Sequence, residues 1–155
     1  MQTQPAQTAH SPTPSSGGEP QLVAVDPKRL GEVLGHPRII RLMQDVVERH
    51  PGEFSVDGIV DRIARRDWVL WLVWDGTVRA ILATELYLDV GGSKRCRIPF
   101  CTGESARGWV HLLADIEQWA TLEGCSKMDL IARKGWAKHL PDYRMTHVVL
   151  EKDLR

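Results

Sequence analysis

The chain carries no excess of charge of either sign, with 20 lysines and arginines against 20 aspartates and glutamates. A broad nucleic-acid or membrane footprint needs a basic surplus, so neither partner is expected. Cysteine is scarce: Cys96, Cys101 and Cys125 are all there is. An odd, unpatterned set of thiols argues for reduced, buried side chains and against a disulfide framework. The three show no structural-zinc spacing, and His10, His36, His50, His111 and His147 show no ligand spacing either, so no metal is expected. Long apolar runs are missing, and no segment reads as a membrane span. Residues 1–20 have neither the basic and apolar regions of a secretory signal nor the arginine of a mitochondrial transit peptide. These absences leave the expectation of a cytoplasmic protein. No internal repeat is visible.

What is present fits one compact domain: 155 residues, 43% hydrophobic and 26% charged. Residues 1–20 hold Pro, Ser, Thr, Gln and Gly with Glu19 as their single charge. Such a segment buries too little surface to offset its ordering entropy, which predicts a disordered or docking tail before a domain over 21–155.

The domain opens on a β-like run at 21–26. Pro37 starts a helical pattern with Ile39, Ile40, Leu42, Met43, Val46 and Val47 on one stripe, stopped at His50-Pro51-Gly52. Ser55 caps a second helix carrying Ile59, Val60 and Ile63. Residues 68–74 are dense in tryptophan and valine, and Asp75-Gly76 turns them into a second strand over 78–90. Gly91-Gly92 turns again into a third strand, 94–102, where Pro99 removes a ladder donor. On that strand Cys96 and Cys101 lie five apart, which puts them on opposite faces. Apolar spacing then predicts a helix over 109–122 that ends at Gly124, a strand at 128–132, a helical turn at 133–140 and a last strand over 143–154. Strand, helix, strand in this order implies a right-handed crossover. The fold class is α/β: a mixed, mostly antiparallel central sheet with one parallel strand pair, flanked by helices.

From Trp109 onward the order of elements resembles the second half of the GNAT superfamily of N-acetyltransferases. The two helices and three-strand meander before it fit the first half. The phrase Arg133-Lys-Gly-Trp136 before the last strand is similar to compact GNAT-like proteins of tailed bacteriophages. The resemblance implies that acetyl-CoA, if used, inserts between strands 94–102 and 128–132. It also implies a pyrophosphate loop of the form Gln or Arg, two residues, Gly, one residue, Gly or Ala, whose small residues let backbone N–H groups close on the anion. Aligned on Leu112 and Leu113, this chain has Glu104, Arg107 and Trp109 at those positions. A carboxylate repels pyrophosphate and the two bulky side chains obstruct the backbone. The nearest cofactor-binding candidates are therefore Gly103, Ser105, Arg107 and Gly108. The family tyrosine that protonates the departing thiolate falls on Lys138, with His139 the nearby acid.

Glu85, mid-strand, is the candidate general base, or else a carboxylate paired with Arg79, Arg95 or Arg97. The six tryptophans read as packing between sheet and helices. Two functions follow. One is a GNAT-fold protein with lost acetyl transfer, no cofactor and protein partners in an assembly such as a phage head or tail. The other is an acetyl-CoA-dependent N-acetyltransferase with an atypical loop.

Overall fold

A computed structural model describes residues 18–155; the expected tail lies almost wholly outside the described residues. The elements are β1 (Gln21–Ala24), α1 (Leu30–Leu34), α2 (Pro37–Arg49), α3 (Val56–Ala64), β2 (Trp68–Trp74), β3 (Val78–Leu88), β4 (Lys94–Ile98), β5 (Cys101–Gly103), α4 (Leu113–Leu122) and β6 (Lys127–Leu130). Local chemistry sets several boundaries. Pro37 occupies the first turn of α2, where its missing N–H costs nothing. The Ser55 side chain accepts from Gly58 N–H at 3.0 Å and caps α3. Gly76 takes φ +108 in the β2–β3 turn, a conformation that L side chains rarely adopt.

The sheet runs β1-β2-β3-β4-β6, antiparallel throughout except for the parallel pair β4–β6. Alternate residues of β2 and β3 face opposite helical layers. Trp68, Leu70, Ile81 and Ala83 meet Leu42, Met43, Ile59 and Ile63 from α2 and α3. Trp71 and Leu82 meet Leu113 and Ile116 from α4. The polar edge of Trp71 is satisfied inside that core, its Nε1 donating to Thr84 Oγ1 at 2.9 Å. No described helix is long and apolar enough to cross a membrane.

The third strand breaks where proline predicts. β4 pairs with the distal part of β3, β5 with its proximal part, and Ile98, Pro99 and Phe100 stand opposite only Ala83 and Thr84. This extra residue is a β-bulge, and it changes side-chain parity beyond it. Cys96 pairs with Leu86 and Cys101 with Leu82, so the two thiols share the α4 face, contrary to the expectation from five-residue spacing.

Two further elements differ from expectation. The helix begins at Leu113, not at 109, because 3-10 turns at Ala106–Gly108 and Val110–Leu112 take up the preceding residues. Residues 143–154 form no strand. Tyr143 N–H bonds to Leu140 O at 3.0 Å, and the chain beyond it is exposed with no regular structure. Strand propensity is expressed only against a neighbour. The consecutive Val148, Val149 and Leu150 favour neither face of a sheet.

Candidate functional site

The bulge positions the site. Beyond Pro99 the chain stays bonded to β3 and parts from β6, whose last link to β4 is Ile131 N–H to Ile98 O at 3.1 Å. Phe100 O accepts from Ala83 N–H, and Glu104 N–H donates to Arg79 O at 3.2 Å. By antiparallel alternation, the backbone groups of the intervening Cys101 and Gly103 face away from β3. Cys101 lines a slot of about 90 Å³ together with Arg49, His50, Ile131, Ala132, Arg133 and Trp136. Gly103 has no alternative here, since a Cβ would stand 2.3 Å from Ala80 Cβ and 2.6 Å from Arg79 O.

The loop leaving β5 folds back on itself. Ser105 is left-handed at φ 53, and Gly108 and Trp109 N–H donate to Ser105 O and Ala106 O at 2.8 and 3.1 Å. Leu112 N–H donates to Trp109 O at 2.8 Å. These donors at the entry to α4 are therefore committed within the loop. Trp109 is 2% exposed, and its Nε1 donates to Glu104 O at 2.9 Å. Its ring lies 5.8 Å from that of Trp136, which lines the slot. The Glu104 carboxylate meets Arg38 of α2 at 3.2 Å, which offsets part of its charge. The Trp109 indole packs into the core with Val73, Ala80 and Leu112.

Gly103, Ser105, Arg107 and Gly108 come together on this one loop, with Ser105, Arg107 and Gly108 exposed. Glu85 lies elsewhere. It lines a separate cavity of about 340 Å³ with Arg62, Arg66, Asp67, Val69, Thr84, Leu86 and Trp119. Its cross-strand neighbour Arg97 is directed to Asp129, Nε to Oδ1 at 2.6 Å, and stacks on Tyr87. Arg79 is held by Asp75 at 2.8 Å and Arg95 lies between Asp89 and Asp129, so none of the three arginines expected to pair Glu85 does so. Tyr87 Oη donates to Asp129 Oδ2 at 2.5 Å, and burial with that hydrogen bond pushes the phenol up. His139 is half-buried in the turn Lys134–His139, edge-on to Trp136 at 6.0 Å, and does not line the slot.

Sequence reasoning missed the residues that α2 delivers to the slot. Arg49 Nη1 donates to buried Thr102 Oγ1 at 3.3 Å. His50 sits 3.5 Å from Glu53 and edge-on to Phe54. The only sequence signal for either was a helix stop at Pro51. Arg49 and Arg133 make the slot a cationic one. The slot holds about 90 Å³, with Trp136 in its wall.

The chain has the GNAT fold. It is similar to an aminoglycoside acetyltransferase from an uncultured soil metagenomic sample, at 14% identity and TM-score 0.62, covering 88% of this chain and 97% of that one. A Trypanosoma brucei acetyltransferase matches at 17% identity and TM-score 0.59, covering 87% and 99%. The ribosomal-protein-alanine N-acetyltransferase of Brucella melitensis biovar Abortus matches at 11% and 0.58, covering 88% and 98%. In sequence, no family model and no curated protein matches the chain.

Proposed function

We propose that this chain is a GNAT-fold protein that has lost acetyl transfer and serves as a structural or interaction component of an assembly. The observation that carries the reading is the buried Trp109 indole, bonded to Glu104 O and packed toward Trp136. It stands where the family pattern has a small residue, and its ring is buried with Val73, Ala80 and Leu112. Fold alone does not carry an activity, and here the site argues against it. The likeness of Arg133-Lys-Gly-Trp136 to proteins of tailed bacteriophages supports a phage head or tail as the assembly, and the host cytoplasm and virion as the locations. Thermal unfolding with acetyl-CoA tests the reading. A ligand present at about 100 times its Kd adds about 2.7 kcal/mol. The expected result is no rise in Tm at millimolar acetyl-CoA, and a rise of several degrees would overturn it.

The second reading, an N-acetyltransferase with an atypical loop, is favoured by the free edge of β5 beyond the bulge. It predicts that rise in Tm, together with turnover that falls in Glu85→Gln while affinity holds.

A further inference from the structure

β2 starts at Trp68, opposite Glu85, while β3 runs on to Leu88, which leaves a step in the sheet. The cavity of about 340 Å³ opens at this step and shares no lining residue with the slot. α3 and the turn after it supply Arg62, Arg66 and Asp67, and α4, from the opposite layer, supplies Trp119.

The polar groups of the cavity are of both signs and do not satisfy one another. Arg62 lies over the Trp68 ring, 4.9 Å from its centre, and neither Arg62 nor Arg66 makes an ion pair among the described residues. Asp67 reaches only Arg65, at 3.7 Å. Half-buried Glu85 has no cationic partner, because Arg95 and Arg97 are turned to Asp129. Two further groups are open. Ala83 N–H donates to Phe100 O and Asp89 N–H to Ser93 O, so alternation turns Leu86 to the β2 side of β3. Asp67, which opposes it there, donates its N–H to Arg62 O at 2.9 Å, and Leu86 O has no donor among the described residues. Thr84 is 1% exposed, and its Oγ1 accepts from Trp71 Nε1 at 2.9 Å. Its own O–H has no acceptor among the described residues, an uncommon state for a buried hydroxyl.

We propose that this cavity binds a free α-amino acid with an aliphatic side chain. Free donors beside free acceptors suit a ligand that carries both charges on one carbon, whereas a simple anion or a peptide terminus matches only half of the set. The ligand carboxylate takes charge-assisted hydrogen bonds from the Arg62 and Arg66 guanidiniums, with the Thr84 hydroxyl as a further donor. Its ammonium donates to the Glu85 carboxylate and to Leu86 O. Its side chain lies against Val69, Leu86 and the Trp119 indole, the apolar part of the wall. At about 340 Å³ the cavity is at the lower end of the small-ligand range, roughly 300–1,000 Å³, which suits a single amino acid. The site does not depend on loss of acetyl transfer, because it is separate from the slot.

Calorimetric titration of L-leucine into the full chain, with no acetyl-CoA present, tests the site. The expected result is saturable binding with a Kd below about 1 mM. Isocaproate lacks the ammonium and isoamylamine lacks the carboxylate, and each should bind about tenfold more weakly or worse. Glu85→Gln removes the acceptor charge, and Arg62→Gln removes a guanidinium while keeping a stem over Trp68. Each should weaken L-leucine by about tenfold or more. Should a variant unfold, the two analogues decide on the unmodified chain. No saturable heat from L-leucine up to about 10 mM would overturn the proposal. So would isocaproate or isoamylamine bound as tightly as L-leucine, or an affinity unchanged in the folded variants. Without acetyl-CoA in the cell, none of these results depends on whether acetyl transfer is lost.

Discussion

Between β2 and β3, seven residue pairs hold from Trp68–Glu85 to Trp74–Val78 with one irregularity, and both faces of the pair are covered by helices. Between β4 and β6 only four pairs hold, after which the strands part and the chain runs on through 3-10 turns to an exposed arm. The first region is held by burial on two sides. The second is organised by single features: a bulge at Pro99, a close approach at Gly103, an indole in a loop. A fold can keep the first kind of region while function is rewritten in the second, because the second holds few of the residues that both helical layers bury.

Substitutions can break that comparison. Phe100 sits at the bulge yet belongs to the first region, 1% exposed and edge-on to Phe54 and Trp68. Phe100→Ala should cost about 3–5 kcal/mol, read as a fall in the urea midpoint at constant slope. Trp119 packs on Trp71 at 5.2 Å but is only half-buried. Trp119→Ala should therefore fall at the low end of that range, about 3 kcal/mol. A cost equal to that of Phe100→Ala would mean that the α4 side is packed as tightly as the α2–α3 side. Gly103→Ala forces a Cβ into Ala80 and should cost about 1–3 kcal/mol through overpacking. A neutral result would show that β5 moves freely, against the account of the slot.

The last expected outcome is chemical. Burial, then the neighbouring Cys125 and Asp129, pushes the Cys96 thiol from its ordinary value of 9.0 to about 12. The folded state thus holds a proton that the unfolded chain releases. This contribution to stability is complete below about pH 9 and is lost as pH rises from there through about 12. At pH 8 Cys96 should resist iodoacetamide in the folded protein while half-buried Cys125 is modified first, as mass spectrometry would show. Rapid labelling of Cys96 would place β4 outside the protected core.

Much of the first region was legible because its physics is local. Pro37, Ser55 and Asp75-Gly76 mark boundaries by their own backbone and capping chemistry. The apolar stripes of α2 and α3 reflect a single burial direction. Pro99 announced the broken ladder but not the added residue, so the face of Cys101 could not be read from spacing. The start of α4 was misjudged because Val110 fits a helical stripe whether its turn is α or 3-10. The arm reads as a strand because propensity says nothing about whether an edge is within reach. Glu85 stood out as a lone mid-strand acid, whereas the slot draws on Arg49 and His50, brought there by the packing of α2 against β3 and β5. No spacing along the chain reports that meeting.

We propose that Trp109, in the loop after β5, keeps a cofactor out. Calorimetric titration of acetyl-CoA into the purified chain tests it most directly. The account predicts no binding heat below millimolar concentrations. A dissociation constant of about 1 μM, about −8 kcal/mol, would contradict it, because binding that tight requires an open loop.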